Sequence, residues 1–131
     1  MVKRTSEHAE ETRRAILDAA RQRFEVQGYS ATSIANIVEA AGTTKGALFH
    51  HFPSKEELFF EIWSDIQREM DAEAKAAANA GRSTEDPYAA FLAGTRTYFR
   101  WTTTPAYQRI VLVDGRSVLG LERWQEEDNR L

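Results

Sequence analysis

The sequence predicts an all-α protein, and three observations carry that prediction. Apolar residues recur at three- and four-residue spacing in two runs, Ile16, Leu17, Ala20, Phe24 and Leu58, Phe59, Ile62, Trp63, Ile66, Met70, each lining one face of a helix. Between them, two shorter helical patterns meet at a corner only a few residues long, at Gly42. The one stretch with strand character, Ile110-Val111-Leu112-Val113 before Asp114-Gly115, would by itself suggest a strand entering a hairpin, yet no second candidate exists to pair with it. That region is assigned a short helix, a turn, and a further helix from about Ser117 through Leu119, Leu121 and Trp124.

A chain of 131 residues with 42% apolar content can bury a real core but is small for two independent domains. Two lobes sharing one long helix are expected, divided into residues 1–54 and 55–131. The absence of cysteine excludes disulfides, thiol nucleophiles and thiolate metal sites. The first residues lack a secretory apolar core, and no run approaches the ~20 apolar residues that span a bilayer, so a cytoplasmic location without a membrane partner is expected. The net charge of −3 argues against a nucleic-acid binder, but it is unevenly spread: residues 1–55 hold eight Lys and Arg against six Asp and Glu, the remainder nine against fourteen. The more basic end is the end with the corner at Gly42.

Residues 1 to about 10, with Lys3, Arg4 and His8, read as a polar arm. The first helix follows and ends at Gly28, its apolar face roofing the two short helices, with Tyr29 packed alongside. The second helix starts at Thr32 or Ser33, either of which can cap it; a helix start with hydroxyls also suits a phosphate, so capping alone and capping with phosphate contact both stand. Thr44 caps a third helix, Lys45 to about His51, which Pro53 ends. Leu48 and Phe52 face inward, leaving Thr43, Thr44, Lys45, Gly46, Phe49 and His50 toward solvent or DNA. His51 fits a contact or a packing role. Gly46 costs a helix about 1 kcal/mol relative to alanine, which a close approach to DNA or a packing contact with the first helix would explain. Two short helices meeting steeply through a glycine form a helix-turn-helix, whose second helix can lie in the major groove.

Gly28-Tyr29, Thr32-Ser33-Ile34, Ala40-Ala41-Gly42, Lys45-Gly46-Ala47-Leu48 and His51-Phe52-Pro53-Ser54-Lys55 together carry a resemblance to the DNA-binding domain of the tetracycline-repressor (TetR) family of transcriptional regulators. The resemblance covers about the first 60 residues. It implies a DNA-binding homodimer whose C-terminal helical lobe binds a small molecule, with Thr32, Ser33, Thr43, Thr44, Lys45, Gly46, Phe49, His50, His51 and Lys55 as the DNA-facing set. In the family the lysine matching Lys55 touches phosphate. Two positions depart from the pattern: Phe49 stands where a tyrosine hydroxyl commonly binds phosphate, and Ala35 where many members carry a basic residue.

Ser54 and Glu57 form a capping box at the start of the fourth helix, which continues through alanines to about Ala80 and so enters both lobes. After a polar break from Gly81 to Glu85, Asp86-Pro87 opens a fifth helix with Tyr88, Phe91, Leu92, Thr95, Tyr98 and Phe99 on one broad face and Trp101 beside it. An aromatic stripe is more often core than pocket. As an effector pocket, Trp63, Ile66, Met70, Phe91, Thr95, Tyr98 and Trp101 are the candidates, suited to a small apolar or aromatic molecule. The chain ends in a charged run, Glu122 to Leu131. Family members usually continue for two long helices that form the dimer interface, so a truncated C-terminal lobe, or dimerisation through another surface, is expected.

The function that follows is a ligand-responsive regulator, most simply a repressor of palindromic operator DNA. The alternative is a helical interaction module that retains the fold with weak or lost DNA binding. Catalysis is not expected: no paired carboxylates, phosphate-cradling loop or Ser/His/Asp order emerges, and His8, His50 and His51 lack metal-ligand spacing. No cofactor or metal is expected either. Phe49→Tyr should leave DNA affinity unchanged or raise it; a large fall in a binding titration would mean that the third helix docks in another way.

Overall fold

The computed structural model describes residues 2–82, 86–120 and 123, and among these no strand occurs. The helices are α1 (Val2–Gln27), α2 (Ile34–Ala41), α3 (Lys45–His51), α4 (Lys55–Arg82), α5 (Pro87–Thr102), a π-helical segment (Tyr107–Asp114) and α6 (Gly115–Leu119). They form two compact units, Met1–Ile62 and Trp63–Leu131. The division falls later than residue 54 because the first two turns of α4 supply Leu58, Phe59 and Ile62, all buried, to the first core.

In the first unit α1 buries Ile16, Ala19, Ala20 and Phe24. The helix already begins at Val2, which corrects the expected polar arm: nothing between Val2 and Gln27 is glycine or proline, so nothing stops the helix from propagating. Phe24, Tyr29 and Phe59 form an aromatic cluster with centroid separations of 5.7, 5.4 and 5.2 Å, mostly edge to face, joining α1, the loop after it and α4. Arg13 lies over the Phe52 ring at 5.2 Å and pairs with Glu61 at 3.5 Å, a half-exposed contact worth at most ~1 kcal/mol.

The corner between α2 and α3 is a Schellman turn. Gly42 has φ +69°, its N–H bonds to the Glu39 carbonyl at 3.2 Å, and the Thr43 N–H reaches back to Val38 at 3.0 Å. At its other end α2 is capped by Ser33, not Thr32: the Ser33 hydroxyl accepts from the Asn36 N–H at 3.0 Å, and the Asn36 side chain accepts in return from the Ser33 N–H at 3.4 Å. Ser54 accepts from the Glu57 N–H at 3.0 Å and so caps α4.

In the second unit α4 buries Trp63, Ile66, Met70 and Ala74. It runs through Arg82, two residues into the expected break; Ser83 to Glu85 lie outside the described residues. Asp86 caps α5, its carboxylate accepting from the Tyr88 N–H at 3.0 Å. The face that α5 buries is not the aromatic one. Ala90, Gly94 and Thr97 are buried, whereas Tyr88, Phe91, Tyr98 and Phe99 are exposed. Small residues win that face because they let backbones approach: a methyl placed on Gly94 would lie 3.5 Å from the Ala74 carbonyl oxygen and from Ala78 Cβ.

The expected turn at Asp114-Gly115 does not occur. Gly115 is helical, with φ −54° and ψ −46°, and the chain passes from the π-helical segment straight into α6, which stops at Gly120 with φ +79°. Ile110 and Val111 are buried, so helical packing overrides their strand preference. The expected continuation through Leu121 and Trp124, and most of the charged run to Leu131, lies outside the described residues. Gly115 is required by contact, since a Cβ there would sit 2.9 Å from Trp63 Nε1 and 3.0 Å from the Ile110 carbonyl oxygen. Gly115→Ala should therefore destabilise the chain by about 1–3 kcal/mol in denaturant unfolding.

Candidate nucleic-acid interface

Helix α3 has seven residues and is positioned by the two side chains it buries. Leu48 is 0% and Phe52, at its C-cap, 2% exposed. At about 100° per residue, Gly46 and His50 then point away from the core, with Lys45 and Phe49 together on one flank. Burial agrees: Thr44, Lys45, Gly46, Phe49 and His50 are exposed, and Thr43 and His51 half-buried. The Thr44 hydroxyl caps the helix, accepting from the Ala47 N–H at 3.1 Å. His51 bridges exposed His50 and buried Phe52, with ring centroids 5.3 and 6.3 Å away.

Thr32 is a correction. Its side chain is fully buried, and its hydroxyl donates to the Gly28 carbonyl at 2.8 Å, tying the α1–α2 loop rather than facing outward. Ser33 is exposed at the start of α2 beside exposed Asn36, whose capping role the sequence reading did not include.

Lys55, in the first turn of α4, lays its ammonium over the Tyr29 ring with Nζ 4.1 Å from the centroid. Partial burial holds this ammonium below the usual lysine value. The Tyr29 hydroxyl is pushed up by burial and then by Glu56. Sequence reasoning gave Tyr29 a packing role and missed that it also seats Lys55. The spacing Tyr29 to Lys55 gives no local signal for this, because the contact is made through the tertiary cluster with Phe59.

The second candidate region is a groove of about 710 Å³ between α4 and α5 in the second unit. Ala74, Ala78, Ala90 and Gly94 line it beside Phe91, Thr95 and Tyr98. Its polar end is organised: Asp71 accepts from the Tyr98 hydroxyl at 3.1 Å and pairs with Lys75 at 2.8 Å. The Lys75 hydrogen bond holds the Asp71 carboxyl below its ordinary value, while burial and then the bond to Asp71 push Tyr98 up. Of the pocket candidates, Phe91, Thr95 and Tyr98 line this groove. Trp63, Ile66 and Met70 do not; they are core residues at 1%, 0% and 8% exposure. Trp101 also lies off the groove, its indole N–H donating to Glu73, which pairs with Arg100 at 3.3 Å.

A three-helix core that buries one face of a short second helix and turns the other outward defines a helix-turn-helix protein. Comparison with known proteins narrows the class. Residues 16–62 match the family of bacterial regulatory proteins, tetR family, and residues 88–131 the tetracyclin repressor-like C-terminal domain. A TetR-family transcriptional regulator from Pectobacterium atrosepticum is 34% identical with a TM-score of 0.75, over 95% of this chain and 68% of that one. A gamma-butyrolactone receptor (ArpA-like protein) is 32% identical with a TM-score of 0.64, over 85% and 55%. The HTH-type transcriptional regulator AcrR of Shigella flexneri is 49% identical over 63 residues, 48% of this chain and 29% of AcrR. This chain belongs to the TetR family. The family consists of transcriptional regulators and not enzymes. The matched stretch spans well under half of that curated relative, and no helix among the described residues is long and apolar enough to cross a membrane.

Gly46 has open space around it: a methyl there would meet only the Thr44 hydroxyl oxygen at 3.9 Å, so packing against α1 does not explain this glycine. Gly46→Ala should leave the fold intact and raise its stability by up to about 1 kcal/mol in denaturant unfolding. A loss of stability would show that the glycine serves packing after all.

Proposed function

We propose that this chain is a ligand-responsive transcriptional repressor acting in the cytoplasm, which places α3 in the major groove of operator DNA. The observation that supports this best is the division of α3 into a buried Leu48 face and an exposed Thr44, Lys45, Gly46, Phe49, His50 face with no side chain at its centre from residue 46. Ser33 at the start of α2 and Lys55 at the start of α4 flank that face and meet phosphates, Lys55 gaining an anion that offsets its partial burial. As a homodimer in the native-length protein, two such helices read a palindromic site with half-sites one helical turn apart.

A small apolar or aromatic effector occupies the α4–α5 groove, against Phe91, Thr95 and Tyr98, and favours a setting of α4 in which DNA is released; such coupling is typically worth about 1–3 kcal/mol. The receptor named among the structural neighbours supports a small-molecule role for this unit. The net charge of −3 and the missing hydroxyl at Phe49 favour a second reading, a helical interaction module with little DNA affinity.

Titration of genomic DNA fragments at several salt concentrations separates the two. Salt-dependent binding that differs between fragments supports the repressor; absent binding supports the module. Lys55→Met should weaken binding by a similar factor on every sequence and flatten the slope of log affinity against log salt by about one. Gly46→Ala, by contrast, should weaken binding while keeping the fold.

A further inference from the structure

We propose that Phe49 is a specificity-determining residue that reads thymine, its ring lying against the C5-methyl group of a thymine in the groove that α3 enters. The proposal rests on the DNA-binding reading above. Phe49 is 46% exposed in the middle of a seven-residue helix, on the flank it shares with exposed Lys45 one turn back. Lys45 and Lys55 supply the positive charge that brings DNA phosphates to this face. A phenyl ring has no hydroxyl to give a phosphate and no donor or acceptor for a base edge. It gains only by covering apolar surface, and the one apolar group that base pairs present in the major groove is the thymine methyl. Gly46, three residues earlier on the outward face, adds no side chain of its own between the helix and the base edges. Phe49 thus governs which sequence is bound, where Lys55 governs how strongly any sequence is bound.

The test begins by selecting bound sites from a random duplex DNA library with the full chain. Each thymine of the selected site is then replaced in turn by deoxyuridine, which keeps every base-pairing and groove hydrogen bond and removes only the methyl group. Affinities are measured by fluorescence anisotropy for the unmodified chain, Phe49→Ala and Phe49→Tyr. The expected result is one thymine per half-site at which deoxyuridine weakens the unmodified chain and Phe49→Tyr about three- to tenfold, on the scale of one buried methyl group, while Phe49→Ala binds both duplexes equally. The comparison on the unmodified chain needs no substitution, so it reads out even where the alanine variant fails to fold. Indifference to every methyl, or the same methyl loss persisting in Phe49→Ala, overturns the proposal and leaves DNA binding standing. Self-association abolished by Phe49→Ala, with methyl-independent DNA binding, also overturns it and makes Phe49 a contact between copies. If no sequence is enriched and no salt-dependent affinity is found, the DNA-binding reading falls and takes this one with it.

Discussion

A seven-residue helix does not persist in water alone, because nucleating it fixes more backbone than its few hydrogen bonds repay. Helix α3 exists because Leu48 and Phe52 are anchored in a core made by Ile16, Ala20, Phe24, Ile37, Leu58 and Phe59. That anchorage also sets its rotation, and rotation decides which side chains can meet a ligand. With Leu48 inward, Gly46 and His50 must face out, and exposed Lys45, Phe49 and Thr44 complete the surface. The Schellman turn at Gly42 and the Ser33 cap fix where α2 stops and starts, so the pair meets at one defined corner. The outward chemistry is therefore a by-product of inward packing.

Much of this was legible in the sequence because the signals are local. Period-3.6 apolar spacing, caps at Ser33, Thr44, Ser54 and Asp86, and the glycine at the left-handed α2–α3 corner, Gly42, are each readable within a few residues. The burial of Thr32 was not, since its hydroxyl is taken by a carbonyl that only the folded α1–α2 loop brings near. Nor was the seat of Lys55 on Tyr29, which spans two elements joined by an aromatic cluster. The helix beginning at Val2 was missed because a polar composition was given more weight than the absence of any helix breaker.

The second unit was harder to read because its packing inverts the usual rule. Large aromatic residues on α5 at helical spacing suggest a core face, yet Ala90, Gly94 and Thr97 hold the interior and Phe91, Tyr98 and Phe99 remain outside. The sequence holds both patterns on one helix, and only the opposing surface chooses between them: α4 presents Ala74 and Ala78, against which small residues fit more closely. At Gly115 the same contest runs the other way. There the Trp63 indole occupies the space a side chain would need, and the Asp-Gly pair that resembles a turn is drawn into a helix.

The seam between α4 and α5 has one more implication. Beside the groove Gly94 packs close to main chain, a methyl there lying 3.5 Å from the Ala74 carbonyl oxygen, so the spacing of the two helices depends on residue 94 staying small. Phe91 and Thr95 stand along the groove, while Tyr98 also ties α5 to α4 through its hydrogen bond to Asp71. Exchanging Phe91 or Thr95 would therefore alter the lining of the groove and leave the close approach of the two rods in place.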